Sequence, residues 1–438
     1  MPNTKRVRLV ASTIAVALGA TALAACGSED ASDDASGPAS LTYWTWTPGM
    51  DKVVDLWNKG QGKKDQITVT VKKQASGDTL VTKILTAHKA GKAPDLVQAE
   101  YQALPTLVSN DAVADIASEV GDTKGKFADG VWQQTTLGTD AVYAVPQDIG
   151  PMMFYYREDL FKKYGLTVPT TWEQFAETAR ALKKKSPDTD LTTFSANDSG
   201  LFAGLAQQAG AKWWTTSGEK WNVGINDAAS QKVAKFWGDL VKEGAIDNQP
   251  MYTPAWNKAL NTGKQIAWVS AVWAPGTLTT AAPDTKGKWA MAPLPQWSQS
   301  ENVTGSWGGS STAVTTDSKH KAAAAKFAAW LNTDRDALNA LAKESGIYPA
   351  STSAQLSGAF TTPPDYFSNQ ADFYTKAAEI AETTAPSAWG PNVNVAYTTF
   401  KDAFGKAAKE KSDFGAALKS MQDDTVADLE KQGFEVSE

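Results

Sequence analysis

The chain has 438 residues, 42 % hydrophobic and 21 % charged, which is enough apolar material for two cores rather than one, and its formal charge is −6. Removing the first 25 residues takes Lys5, Arg6 and Arg8 but no acid and leaves −9; such a surface repels phosphate backbones, so nucleic acid is excluded as a partner. Two histidines far apart and a single cysteine leave no zinc set, and the chain lacks a Walker loop, a Gly-x-Ser-x-Gly elbow, a dinucleotide fingerprint and calcium-loop spacing, so no metal and no cofactor are expected.

Basic residues Lys5, Arg6 and Arg8, an apolar run at 9–23 and small residues up to Ala25 follow the order of an export signal, and the apolar run is short for a membrane span. Leu23-Ala24-Ala25-Cys26 resembles the bacterial lipobox, which implies cleavage after residue 25 and diacylglyceryl attachment at Cys26. Two acyl chains hold a protein stably at a bilayer. Residues 26–40 then read as an acidic, small-residue tether without a large apolar side chain after the lipidated cysteine. The expected location is the outer face of the cell membrane, with a Gram-positive source.

Periodicity predicts a strand at 41–46, a helix at 51–59, a strand at 66–72, a helix at 78–90 stopped by Gly91, a strand from 94 to about 99, and a helix toward Asn110. This alternation predicts a mostly parallel sheet wrapped by helices, with ligands beyond the carboxyl ends of the strands. Residues 142–161 read as two apolar strands separated by a Pro146-Gln147-Asp148-Ile149-Gly150-Pro151 break, where the chain leaves one lobe for the other. Downstream, Thr170 with Glu173 and Thr171 with Gln174 offer two overlapping capping boxes ahead of a helix to about 185. A strand, a polar turn at 197–200 and a helix at 201–209 follow, then helices at 227–243 and 256–262 and a strand at 265–272. Residues 291–295 are too proline-rich for a central strand and mark a second crossing at 293–306. A strand at 311–315, a helix at 319–332, a third crossing at 348–351, and helices from about 371 onward complete the chain.

Two α/β lobes with three crossings behind a lipobox resemble the extracellular solute-binding proteins of ABC importers, carbohydrate-binding family 1, which are maltose-binding-protein-like. The likeness covers residues 41 to about 430, on Tyr43-Trp44-Thr45-Trp46, Ala93-Pro94-Asp95-Leu96, Val145-Pro146-Gln147-Asp148, Tyr155-Tyr156-Arg157-Glu158-Asp159-Leu160-Phe161 and Trp307-Gly308-Gly309 in that order. Arg157-Glu158 replaces the Asn-Lys commoner in the family. The resemblance implies a type II periplasmic-binding-protein-like fold with lobe 1 at 41–147 plus 304–350 and lobe 2 at 148–303 plus 351–438. It further implies a monomer, no enzymatic activity, and permease subunits as partners.

The residues themselves also point to sugar. Seventeen tryptophans against two histidines is an unusual balance, and Trp46, Trp273, Trp307 and Trp389 each stand near Pro or Gly in expected loops. A pyranose has a flat apolar face and a rim of hydroxyls, so its site needs aromatic platforms with carboxylates and amides. Candidate polar partners are Glu100 and Tyr101 past a strand end, Asp148 in the break, and Asn197 and Asp198 in a turn; Trp214 is a further platform candidate. Trp46, Glu100, Tyr101 and Trp307 are expected on lobe 1, and Asp148, Asn197, Trp273 and Trp389 on lobe 2. A secreted glycoside hydrolase with paired carboxylates, or the same fold holding a polyol, peptide or glycerophosphodiester, remains open. A phosphate-bearing ligand needs cleft cations, and only Arg157, Arg180 and Arg335 follow the signal segment.

Overall fold

The computed structural model describes residues 37–75, 77–217, 220–355 and 358–437, so the export signal, Cys26 and most of the tether lie outside the described residues. Among the described residues the strands are β1 (Ala39–Thr45), β2 (Ile67–Lys73), β3 (Leu96–Glu100), β4 (Val145–Arg157), β5 (Trp214–Ser217), β6 (Lys220–Val223), β7 (Ala267–Ala271), β8 (Trp289–Pro293) and β9 (Ser306–Val314). Leu41, Tyr43 and Thr45 of β1 are buried while their neighbours are not, the period-2 pattern of a strand with one tightly packed face. β1 pairs in parallel with β2 and β3, and the helices Met50–Lys59 and Asp78–Lys89 make the two crossovers.

Parallel pairing ends there. β9 lies antiparallel to β3, and β4 lies antiparallel to β9 over its first half and to β7 and β8 over its second. The large sheet is therefore mixed, in the order β2-β1-β3-β9-β4-β7 with β8 on the other side of β4. Strand–helix alternation holds only for the first hundred residues; β9 comes back from the far body and enters the first sheet against the direction of its neighbour.

The proline-rich break is the second difference. Residues 145–157 form one strand of 13 residues, not two strands around a loop. Its irregularities are register shifts at Gln147 and Gly150, and each stands beside one of the two prolines that read as loop punctuation. The third crossing lies along its other edge: Ile149 N–H donates to Tyr348 O at 3.3 Å, and Ala350 N–H donates to Gln147 O at 3.1 Å. Three passages between the bodies are thus hydrogen-bonded into one bulged ribbon of β9, β4 and residues 348–350.

Apolar side chains segregate accordingly. One cluster runs from Met152 to Leu429 and includes Trp172, Trp237 and Phe400. Two others cover the faces of the first sheet, one around Trp57 and Phe327 and one around Leu80, Leu104 and Tyr101. Trp57, Trp172 and Trp237, on helical faces in the sequence, are at most 1 % exposed. Residues 190–196 make isolated bridges, from Asp190 to Gln265 and from Thr193 to Asp247, rather than a strand.

One capping arrangement forms where two were expected. Thr171 caps the helix Trp172–Lys185 by accepting from Gln174 N–H, and the Gln174 side chain reaches back to the Thr170 N–H and hydroxyl. Glu173 does not complete a box, because Thr170 lies one residue outside the cap.

Candidate functional site

At the carboxyl end of β3 the chain turns into a short helical segment, which puts Glu100 at the edge of the first sheet, where its Oε2 accepts from Gln102 Nε2 at 2.9 Å. Opposite it, on the second body, the turn 195–198 leads into the helix Ser199–Gln208. Asp198 caps that helix, its Oδ1 accepting from Leu201 N–H at 3.1 Å. Asn197 is fixed by a bond from its Nδ2 to Met251 O at 3.2 Å and by the Ser195 hydroxyl.

Between these walls lies a cavity of about 340 Å³, lined by Glu100 and Gln102 from the first body and by Asn197, Asp198, Trp307 and Trp389 from the second. Five of the ten expected residues therefore meet in one place. Tyr397 and Lys401 complete the wall from one face of the helix Val393–Glu410. They escaped sequence reading because their spacing of four is the ordinary spacing of any helix face.

Trp307 owes its position to the start of β9. Gly308 and Gly309 have φ of +78° and +96°, a region that L side chains seldom enter, and this double kink separates Trp307 from Ser310 onward, which pairs in the first sheet. The indole then packs in the second core rather than the first, edge-on to Trp273 with ring centroids 4.9 Å apart, and Trp273 Nε1 donates to Trp307 O at 2.9 Å. Trp273 supports the platform from behind; it does not line the cavity.

Burial sets the electrostatics. Desolvation pushes the Asp198 carboxyl up to about 6, against the opposing pull of the Leu201 N–H, the Lys401 charge and the Trp307 indole. Tyr252, which nothing in the sequence singled out, stands beside it. Its hydroxyl is pushed well above the phenol range, by desolvation first and the Asp198 charge second. Its backbone has φ +62°, a region aromatic residues seldom enter, and its hydroxyl end bonds to Asp198 while 46 % of the residue stays exposed.

The other expected residues lie elsewhere. Asp148 is in the bulged ribbon, where Ser310 Oγ donates to its Oδ1 at 2.5 Å and the Tyr101 hydroxyl donates to its backbone carbonyl at 3.0 Å. Desolvation raises its carboxyl to about 6 as well. Neither Asp148 nor Tyr101 lines the 340 Å³ cavity. Trp46 is half-buried against the Leu80–Leu104 cluster. Trp214 is 1 % exposed and packs on Trp389 at 6.2 Å. Arg157, Arg180 and Arg335 each pair with a carboxylate, Asp159, Glu243 and Asp336, and none lines the cavity.

Gly390 sets the Trp214–Trp389 contact. A Cβ there would lie 2.1 Å from Trp214 Nε1 and 2.2 Å from its Cδ1, closer than real carbon contacts allow. Gly390→Ala is expected to lower stability by about 1–3 kcal/mol through overpacking, read as an earlier urea midpoint. An unchanged midpoint would show that the 385–390 segment relaxes freely.

Comparison with known proteins shows the family. Residues 43–338 match the family model described as bacterial extracellular solute-binding protein. The arabinooligosaccharide-binding protein of Bacillus subtilis is 22 % identical over 385 residues, covering 83 % of this chain and 86 % of that one. The mannitol-binding protein of Pseudomonas aeruginosa is 28 % identical over 209 residues, 43 % of this chain and 44 % of that one. Among solved structures, the galacto-N-biose/lacto-N-biose I-binding protein of Bifidobacterium longum, in complex with lacto-N-biose, superimposes with a TM-score of 0.83 at 25 % identity, covering 92 % of this chain and 99 % of that one. The match to the family model spans well over half the chain, its solved neighbours have the two-lobe type II binding-protein fold, and the chain belongs to the bacterial extracellular solute-binding proteins.

Proposed function

We propose that this protein is a lipid-anchored receptor that captures a carbohydrate between its two bodies and delivers it to the permease of an ABC importer. The observation that carries the reading is the cavity shared by Glu100 on one body and by Asp198, Asn197 and Trp307 on the other. A ligand that touches both walls favours the closed arrangement by its differential contacts, and the β9–β4–348–350 ribbon is the element that bends. In this reading lobe 1 comprises residues 41–147 and 304–350 and lobe 2 residues 148–303 and 351–438, with Trp307 crossing over to the lobe 2 core. Asp148 acts in the hinge, Cys26 holds the monomer at the outer face of the membrane, and no bond in the ligand is broken.

Magnitudes allow it. One sugar face stacked on an indole buries on the order of 50 Å² and contributes about 1 kcal/mol. Each charge-assisted hydrogen bond to Asp198, Glu100 or Lys401 adds about 1.5–3 kcal/mol. Two platforms and a few such bonds offset the association cost and leave about 8 kcal/mol, a micromolar constant. The arabinooligosaccharide-binding relative and the neighbour solved with lacto-N-biose support sugar over a phosphorylated solute.

Calorimetry against pentoses, hexoses, their oligomers and mannitol tests the reading. Heat with at least one sugar at micromolar ligand is expected. Silence with every sugar overturns it, a response to mannitol alone moves the ligand class to polyols, and released products on incubation with oligosaccharides turn the protein into a hydrolase.

A further inference from the structure

Trp389 belongs to more than one cavity wall. A second chamber of about 490 Å³ shares Trp389 as its partition, with Pro105, Val108 and Gln134 on the first body and Trp214, Trp221 and Phe434 on the second. One sugar ring takes roughly the room of six waters, about 180 Å³ at ~30 Å³ each, so either chamber alone holds a ring. The two differ in chemistry. Glu100, Asp198 and Lys401 line the first, whereas no charged side chain is among the described residues lining the second.

The far wall of this second chamber is built rather than incidental. Trp221 stands in β6, which pairs with β5 in a separate two-stranded sheet. Its N–H donates to Glu435 O at 2.8 Å, and its carbonyl accepts from Ser437 N–H at 2.7 Å, so the strand is held on both edges. The indole stays half-exposed on this rigid support. Gln133 and Gln134, on the helix Asp129–Thr136, face it across the interface with amide groups that suit hydroxyls.

We infer that the ligand is at least a disaccharide, with its first ring in the charged chamber and a second, neutral ring beyond Trp389 between Trp221 and the Gln133–Gln134 helix. This rests on the carbohydrate reading above and adds length and charge to it. Because both chambers have walls from both bodies, the second ring adds contacts across the interface, and affinity rises with ligand length.

The test is calorimetry on the protein with galactose against β-1,6-galactobiose, and arabinose against arabinobiose and arabinotriose. Two variants accompany it: Trp221→Ala, which removes the platform, and Gln133→Trp, an exposed helix position whose larger side chain fills the second chamber. For whichever sugar series binds, the disaccharide is expected to bind about 100-fold tighter than its monosaccharide. Both variants are expected to cut that advantage to threefold or less while changing the monosaccharide constant less than threefold. A disaccharide carrying a uronic acid as its second unit is expected to bind at least tenfold more weakly than the neutral one. Equal affinity for mono- and disaccharide, or an undiminished advantage in Gln133→Trp, overturns this inference and leaves the carbohydrate reading standing; heat with no sugar removes both.

Discussion

Trp307→Ala is expected to abolish measurable sugar binding and to lower stability by about 3–5 kcal/mol, the range for truncating a large buried aromatic residue. The side chain is 6 % exposed, edge-on to Trp273 at 4.9 Å and to Trp268 at 6.4 Å, and Gly200 lies directly under its indole. Removing it takes away part of the cavity wall, the indole beside Asp198, and the packing that holds the start of the helix Ser199–Gln208. The two effects separate in Trp307→Phe. That variant keeps most of the apolar contact, so stability falls by about 1–2 kcal/mol, whereas the lost N–H and smaller face weaken binding about tenfold. Urea denaturation reads the first quantity and calorimetry the second. Native affinity in a folded Trp307→Ala protein would remove Trp307 from the site.

How much of this was legible in the chain depended on the range of the interaction. Helices started by a Thr or Asp cap stand within a few residues of their expected bounds, as at Trp172–Lys185 and at Ala228–Glu243, which Gly244 also ends, because caps act locally. The proline-rich break was visible as a place and misread as a shape. Pro146, Gly150 and Pro151 punctuate a loop in most contexts, but here they sit at bulges in a strand whose partners, β9 and residues 348–350, are about 160 and 200 positions away.

The tryptophans show the same limit more sharply. Trp214, Trp273, Trp307 and Trp389 look alike in sequence, yet Trp214 is packed deep in the wall of the second chamber, Trp273 supports Trp307, Trp307 lines the first cavity, and Trp389 lines both. Only tertiary contacts distinguish these roles. Lys401 and Tyr252 reach Asp198 from sequence positions about 200 and 50 residues away, and neither carries a local signal beyond ordinary helix and turn chemistry.

Asp198 gives the second large effect, and its sign follows from burial. Its folded carboxyl titrates at about 6, above the ordinary aspartate value near 3.9, so the folded state binds more protons than the unfolded state in that window. Stability attributable to this group is therefore present at pH 4 and is lost as pH rises toward 6. Sugar binding has the opposite dependence. Hydroxyls donate to the carboxylate, so the ligand favours the ionised form, and affinity falls as pH drops below about 6 while binding releases protons there. Asp198→Asn retains an oxygen to cap Leu201 N–H. It is expected to bind sugar about 10- to 150-fold more weakly at pH 7.5, the equivalent of one charge-assisted bond at about 1.5–3 kcal/mol, and to lose the acid-side decline. Asp148 titrates in the same range from the hinge, so Asp148→Asn is the control: it is expected to alter the stability profile while leaving the pH dependence of affinity in place. Calorimetry at pH 5.0, 6.0 and 7.5, in buffers of different ionisation enthalpy, reads the released proton directly. A wild-type affinity that is flat across those pH values would take the Asp198 carboxylate out of ligand contact and leave it as a helix cap alone.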